Sequence, residues 1–120
     1  MLRKCASPFA ALVVLVAGFW PASASALELV MFDAPWCGHC RAFKRDVLPW
    51  YGSTQVGRVI PLRLASSNQP VWFRLSMPIQ GVPTFILVDG GREVRRFYGY
   101  SDPRAFFEKL VLNAESYIRS

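Results

Sequence analysis

Two cysteines separated by two residues, in Trp36-Cys37-Gly38-His39-Cys40, stand between a short apolar run, Leu27 to Phe32, and a helix-like stretch, Arg41 to Leu48. This context constrains the chain more than the thiol spacing does. At a strand-to-helix turn, unpaired backbone N–H groups and the positive end of the helix dipole face the Cys37 sulfur. Both favour the thiolate, the reactive form of cysteine. Cys40 lies one turn later on the same face, placed to close a disulfide with Cys37 or to resolve a mixed disulfide. The stretch reads as a dithiol–disulfide redox site.

The N-terminal residues have the three parts of a secretory signal. Arg3 and Lys4 supply positive charge, and Phe9 to Trp20 is an uncharged apolar run of 12 residues. Ala24-Ser25-Ala26 is an A-x-A cleavage site. The alternative is a retained membrane anchor, but the run is well short of the ~20 residues that span a bilayer. The expected division is therefore a signal peptide over 1–26 and one exported domain over 27–120, without stable membrane insertion. Removing the signal also removes Cys5, which leaves Cys37 and Cys40 as the only thiols, and lowers the net charge from +6 to +4.

A secreted cysteine pair can be a structural staple. One that closes so small a loop restricts the unfolded chain little, so this pair is poorly placed for that. A zinc site needs four ligands, and His39 is the only histidine, so the expectation is no metal and no cofactor beyond the cysteines. Arg92, Arg95, Arg96 and Arg104 are scattered and read as a solvated face; no nucleic-acid motif is present.

Along the chain, Leu27 to Phe32 is the first strand and Cys37 to Leu48 a helix, which Pro49 ends or kinks. Trp50 to Gly57 reads as a loop or a broken helical turn, and Val59 to Leu64 as a second strand whose Pro61 suits a sheet edge. Pro70 to Leu75 offers a short helix with proline in its first turn. Phe85 to Val88 and Glu93 to Tyr98 are strands joined by the hairpin signal Asp89-Gly90-Gly91. Asp102-Pro103 then caps a last helix to about Tyr117. The order β-α-β-α-β-β-α predicts an α/β fold, a four-stranded mixed sheet with helices on its faces. Trp50, Tyr51, Trp72 and Phe73 are expected to pack the core or shield loops.

This order, the Trp36–Cys40 motif after the first strand, and Val82-Pro83-Thr84 before the third resemble the thioredoxin superfamily, over essentially the whole chain after residue 26. The resemblance implies a thiol–disulfide oxidoreductase of minimal thioredoxin-like fold. Cys37 would be the attacking and Cys40 the resolving thiol, with Trp36 the aromatic beside them and Gly38-His39 the intervening pair, similar to that of protein disulfide isomerase. Pro83 would be cis and pack beside the thiols, and Val82 would offer its backbone to an extended substrate segment. His39, in the first helical turn, would help hold the Cys37 thiolate, with Arg41 and Lys44 on a solvated face.

The pattern also departs from thioredoxin proper. That protein has an additional strand and helix before its catalytic strand, and a buried aspartate where Met31 stands here. Asp33 shares the strand face of Met31 and Glu28 the opposite one, so Asp33 is the better substitute acid. Short matches such as Ile60-Pro61-Leu62-Arg63, Gly91-Arg92-Glu93-Val94 and Phe106-Phe107 make the chain similar to small periplasmic thioredoxin-like proteins of sulfur-oxidation clusters, the SoxS type. That likeness implies a monomeric reductase of a specific periplasmic protein's oxidised cysteine, itself kept reduced by a membrane electron donor. A reading of another class is a non-catalytic regulatory module that binds partners around Trp36 and Pro83.

Overall fold

The computed structural model describes residues 27–120; the expected signal segment lies outside the described residues. Strand β1 (Glu28–Asp33) is followed by helices α1 (Gly38–Asp46), α2 (Leu48–Tyr51) and α3 (Gln55–Val59). Strands β2 (Leu62–Ser66), β3 (Thr84–Asp89) and β4 (Arg92–Tyr98) then lead into α4 (Pro103–Arg119). The sheet order is β2-β1-β3-β4. β1 pairs with β2 in parallel and with β3 antiparallel, and β3 pairs antiparallel with β4. The expected four-stranded mixed sheet is present. β1 lies inside it, and β2, introduced by Pro61, forms an edge.

Alternation along the strands builds two apolar layers. Leu29 and Met31 of β1, with Phe85 and Leu87 of β3, face α1 and α4. Val30, Phe32, Ile86 and Val88 face the opposite way. The helical layer is held by Phe43 of α1, whose ring lies 5.1 Å from Phe85, 5.4 Å from Tyr100 and 4.9 Å from Phe106. All three are edge-on or tilted contacts of the favourable kind. Tyr100 donates its hydroxyl to Asp46 at 2.9 Å. Burial and that carboxylate push the phenol up to about 12.

The opposite layer corrects the sequence reading. The helix expected over Pro70 to Leu75 is absent; this segment runs as irregular chain across the sheet, with Arg74 bridging Arg92 in parallel. Val71, Phe73 and Leu75 recur with a period of two and pack on Val30, Phe32, Ile86 and Val88. That is the pattern of an extended segment, not of a helix. One face of the sheet is thus covered by helices and the other by loop. Further differences lie between α1 and β2. Thr54 caps α3 by accepting the Gly57 N–H at 2.9 Å, so Val59 closes a helix and the strand starts only at Leu62. Pro49 sits in the first turn of α2, which is why α1 ends before it.

The turn Asp89-Gly90-Gly91-Arg92 forms as expected. Gly90 and Gly91 have φ of 62° and 82°, and a two-residue hairpin loop with both central residues at positive φ matches the twist of its strands. Tyr51 and Phe73 are buried in the two layers. Trp72 shields its loop, edge-on to Phe73 and under the Arg63 guanidinium at 4.0 Å. Trp50 instead is 67% exposed, so of the two expected places, core or loop cover, it does not take the core.

Candidate active site

Cys37 ends the turn after β1 and caps α1. Its backbone is extended, with φ −86° and ψ 108°, and its Sγ accepts the Cys40 N–H at 3.1 Å. Cys37 and Cys40 are joined by a disulfide, with Cα atoms 5.2 Å apart. Cys40 is wholly buried, and Cys37 is 4% exposed. Of the two sulfurs, that of Cys37 occupies the N-terminal end of α1, where the unpaired N–H groups of the first turn favour negative charge. The geometry therefore suits a thiolate at Cys37 when the bond is reduced.

Trp36 is 75% exposed, an uncovered indole immediately before the disulfide. Across from it the Val82–Pro83 peptide is cis, and Pro83 is buried. Val82 packs against the layer that contains both cysteines. Trp36, Ser67, Ile79, Gln80, Gly81 and Val82 line a cleft of about 270 Å³. Residues that are 43 or more positions apart in sequence thus meet at one end of the sheet. The Pro83 carbonyl accepts the Gly99 N–H at 2.9 Å, and the Thr84 hydroxyl donates to the Gly81 carbonyl at 2.6 Å. Gly38 and His39 are exposed on the first turn of α1. Arg41 is exposed too and donates to the Pro35 carbonyl at 3.1 Å, which braces the turn.

Asp33 faces α1, as its alternation with Met31 predicts. Its Oδ2 pairs with the Lys44 Nζ at 2.6 Å, while its Oδ1 is buried without a hydrogen-bond partner among the described residues. Lys44 is therefore not simply on a solvated face. Glu28, on the opposite face, accepts from the Trp72 indole at 3.0 Å. Among the described residues no group of three or more His, Cys, Asp or Glu could hold a metal ion, and no helix is long and apolar enough to cross a membrane.

Arg96 carries a second correction. Its side chain is only 6% exposed, not solvated, and its Nε pairs at 2.6 Å with Glu93, which is 4% exposed. The same guanidinium donates to the carbonyls of Met77, at 2.8 Å, and Pro78, at 3.1 Å. Nothing in the sequence pattern reveals this, because residues three apart on a regular strand point to opposite faces. Two surface hollows of about 540 Å³ each, one beside Thr54 to Ile60 and one along Arg104 to Leu112, include no residue of the Trp36–Cys40 turn.

Comparison with known proteins agrees with this geometry. Residues 23–114 match the family model of the thioredoxin-like domain. A thioredoxin of Alicyclobacillus acidocaldarius subsp. acidocaldarius is 35% identical over 72 residues, which are 60% of this chain and 67% of that protein. The reduced periplasmic thioredoxin SoxS of Paracoccus pantotrophus superposes with a TM-score of 0.68 at 31% identity, covering 71% of this chain and 92% of that one. Fasciola hepatica thioredoxin shares the fold, with a TM-score of 0.52 at 22% identity over 74% of this chain and 82% of that one. With a Cys37–Cys40 disulfide in that fold, the chain belongs to the thioredoxin-like family and is a thiol–disulfide oxidoreductase.

Proposed function

We propose that this protein is a periplasmic reductase that clears oxidised sulfur from the reactive cysteine of a partner protein. The observation that carries the reading is the placement of the Cys37–Cys40 disulfide at the N-terminus of α1, beside a cleft between the exposed Trp36 and Val82. In its reduced form the Cys37 thiolate attacks one sulfur of the partner's disulfide. A Cys37–partner bond forms, and the partner's other sulfur leaves as a thiolate. The Cys40 thiolate then attacks the Cys37 sulfur. The intramolecular disulfide forms and the second partner sulfur leaves, so two electrons have passed to the partner. A membrane-bound dithiol donor returns them.

Trp36 precedes the thiols and Gly38 and His39 separate them, and Trp36, Val82 and Pro83 receive the partner segment. Among the described residues no hydrogen bond engages the Val82 backbone, which suits pairing with an extended strand. The likeness to a periplasmic thioredoxin and the signal-like residues 1–26 support export and a domain over 27–120. The narrow clientele and a monomeric state fit the small size of the domain.

Redox equilibration against glutathione tests the direction. A reductase should have a potential towards that of thioredoxin, about −270 mV, while a value near that of a strong periplasmic oxidant, about −120 mV, would reverse the assignment.

A further inference from the structure

Strand β4 has one residue too many for its pairing. Leu87 is opposite Arg95 and Val88 is opposite Glu93, which leaves Val94 as the bulged residue. The bulge turns Glu93 and Arg96 to the same face, that of Val88 and Ile86, where residues 71–82 cross the sheet. There they form one polar clamp. Glu93 Oε1 accepts the Ser76 N–H at 2.8 Å, and the two outer nitrogens of Arg96 donate to the Met77 and Pro78 carbonyls. Beside the clamp, at the start of β4, Arg74 N–H donates to Gly91 O at 2.8 Å, and Glu93 N–H donates to Arg74 O at 2.9 Å.

The next residues along the clamped segment, Ile79 to Val82, form one wall of the cleft, opposite Trp36. Burying an ion pair is a weak source of net stability, because desolvation offsets most of the attraction. What this pair does distinctively is fix position: a planar guanidinium holds two carbonyls and a carboxylate in one rigid plane with five donors, where an ammonium is a point charge with three donors on a flexible stem. Neither side chain lines the cleft, so neither touches an incoming disulfide.

We propose that Glu93 and Arg96 are positioning residues that hold the Ile79–Val82 wall ready for a protein partner, and so set recognition of protein disulfides without affecting thiol chemistry. This rests on the reading of the cleft as the partner-binding site. Pre-ordering a loop removes an entropic cost from association. A small disulfide, which needs only access to Cys37, gains nothing from it.

The test compares Arg96→Lys with the neutral pair Glu93→Gln/Arg96→Met, which leaves no buried unpaired charge if the lysine variant folds poorly. Each reduced protein is oxidised by cystamine and by insulin, followed through its tryptophan fluorescence, and backbone order parameters are measured for Met77 to Val82. Order parameters should fall from about 0.85 towards 0.6 or below over these residues. The second-order rate constant with insulin should fall roughly tenfold, with the loop now ordered only on binding. The rate with cystamine should stay within about twofold, and the redox potential should not move, since no group at the thiols has changed. An unchanged loop, an unchanged insulin rate, or parallel losses with both disulfides would overturn the proposal. If the unsubstituted protein reduces neither probe, the oxidoreductase reading itself fails, and the recognition role with it. That failure is distinguishable because it precedes any substitution.

Discussion

The Sγ of Cys37 accepts the backbone N–H of Cys40 at 3.1 Å, so the first cysteine caps the helix that carries the second. The unpaired N–H groups of that helix's first turn favour negative charge on the Cys37 sulfur when the disulfide is reduced. An ordinary cysteine near 8.5 is about 3% ionised at pH 7, whereas one near 7 is about half ionised. We predict that Cys37 titrates below about 8.5 in the reduced protein, measured as the pH dependence of its alkylation by iodoacetamide in a Cys40→Ser background. A midpoint at or above the ordinary value would remove helix capping as the source of activation.

Phe43 joins α1 to β3 through Phe85, to α4 through Phe106 and to the loop between β4 and α4 through Tyr100. Truncation to alanine should destabilise the fold by about 3–5 kcal/mol, a large part of the roughly 5–15 kcal/mol available to a domain of this kind. Urea unfolding of Phe43→Ala should therefore show a much lower midpoint, with loss of the fold as the extreme. A midpoint shift worth under about 1 kcal/mol would mean that this ring cluster is not the centre of the core.

Asp33 and Lys44 make a separate prediction. Lys44→Met leaves the Asp33 carboxylate, with one oxygen already buried and unbonded, without its cation. The cost should be about 1–3 kcal/mol, and Asp33→Asn in the same chain should recover part of it. A double variant no more stable than Lys44→Met alone would show that the charge of Asp33 is not what Lys44 offsets.

Acid sensitivity follows from carboxyls held below their ordinary values. Burial pushes Glu93 up, but Arg96 and the Ser76 N–H outweigh it and hold the group below 4.5. Arg45 and then Tyr100 lower Asp46, and the Ala105 N–H lowers Asp102, both from 3.8. A depressed folded-state value means stability that is present above the unfolded value and lost as pH falls through the folded one. The melting temperature should thus be flat down to the ordinary carboxyl range and drop below it. Glu93→Gln/Arg96→Met should drop less steeply, and an identical acid limb would exclude Glu93 as a contributor.

How much was legible in the sequence varies with the kind of interaction. The thiol turn, the hairpin at Gly90-Gly91, the Asp102 cap and the face shared by Met31 and Asp33 all depend on local chemistry or on strand alternation, and each formed as expected. In the Pro70–Leu75 segment proline in a first turn suits a helix, but the period-two apolar residues pack as an extended chain on the sheet, and their burial decides the structure. The burial of Arg96 was not legible at all. It depends on a bulge at Val94 that reverses the facing of one strand end, and on a loop 18 or more residues away in sequence.

The most direct test of the account is a trapping experiment with Cys40→Ser and Cys37→Ser proteins exported to the periplasm. In the Cys40→Ser protein the mixed disulfide at Cys37 has no resolving thiol and should accumulate, visible as a partner-containing band that a reductant dissolves. The Cys37→Ser protein, whose remaining thiol among the described residues is the wholly buried Cys40, should trap little or nothing. Equal trapping by both variants, or by neither, would contradict Cys37 attack followed by Cys40 resolution.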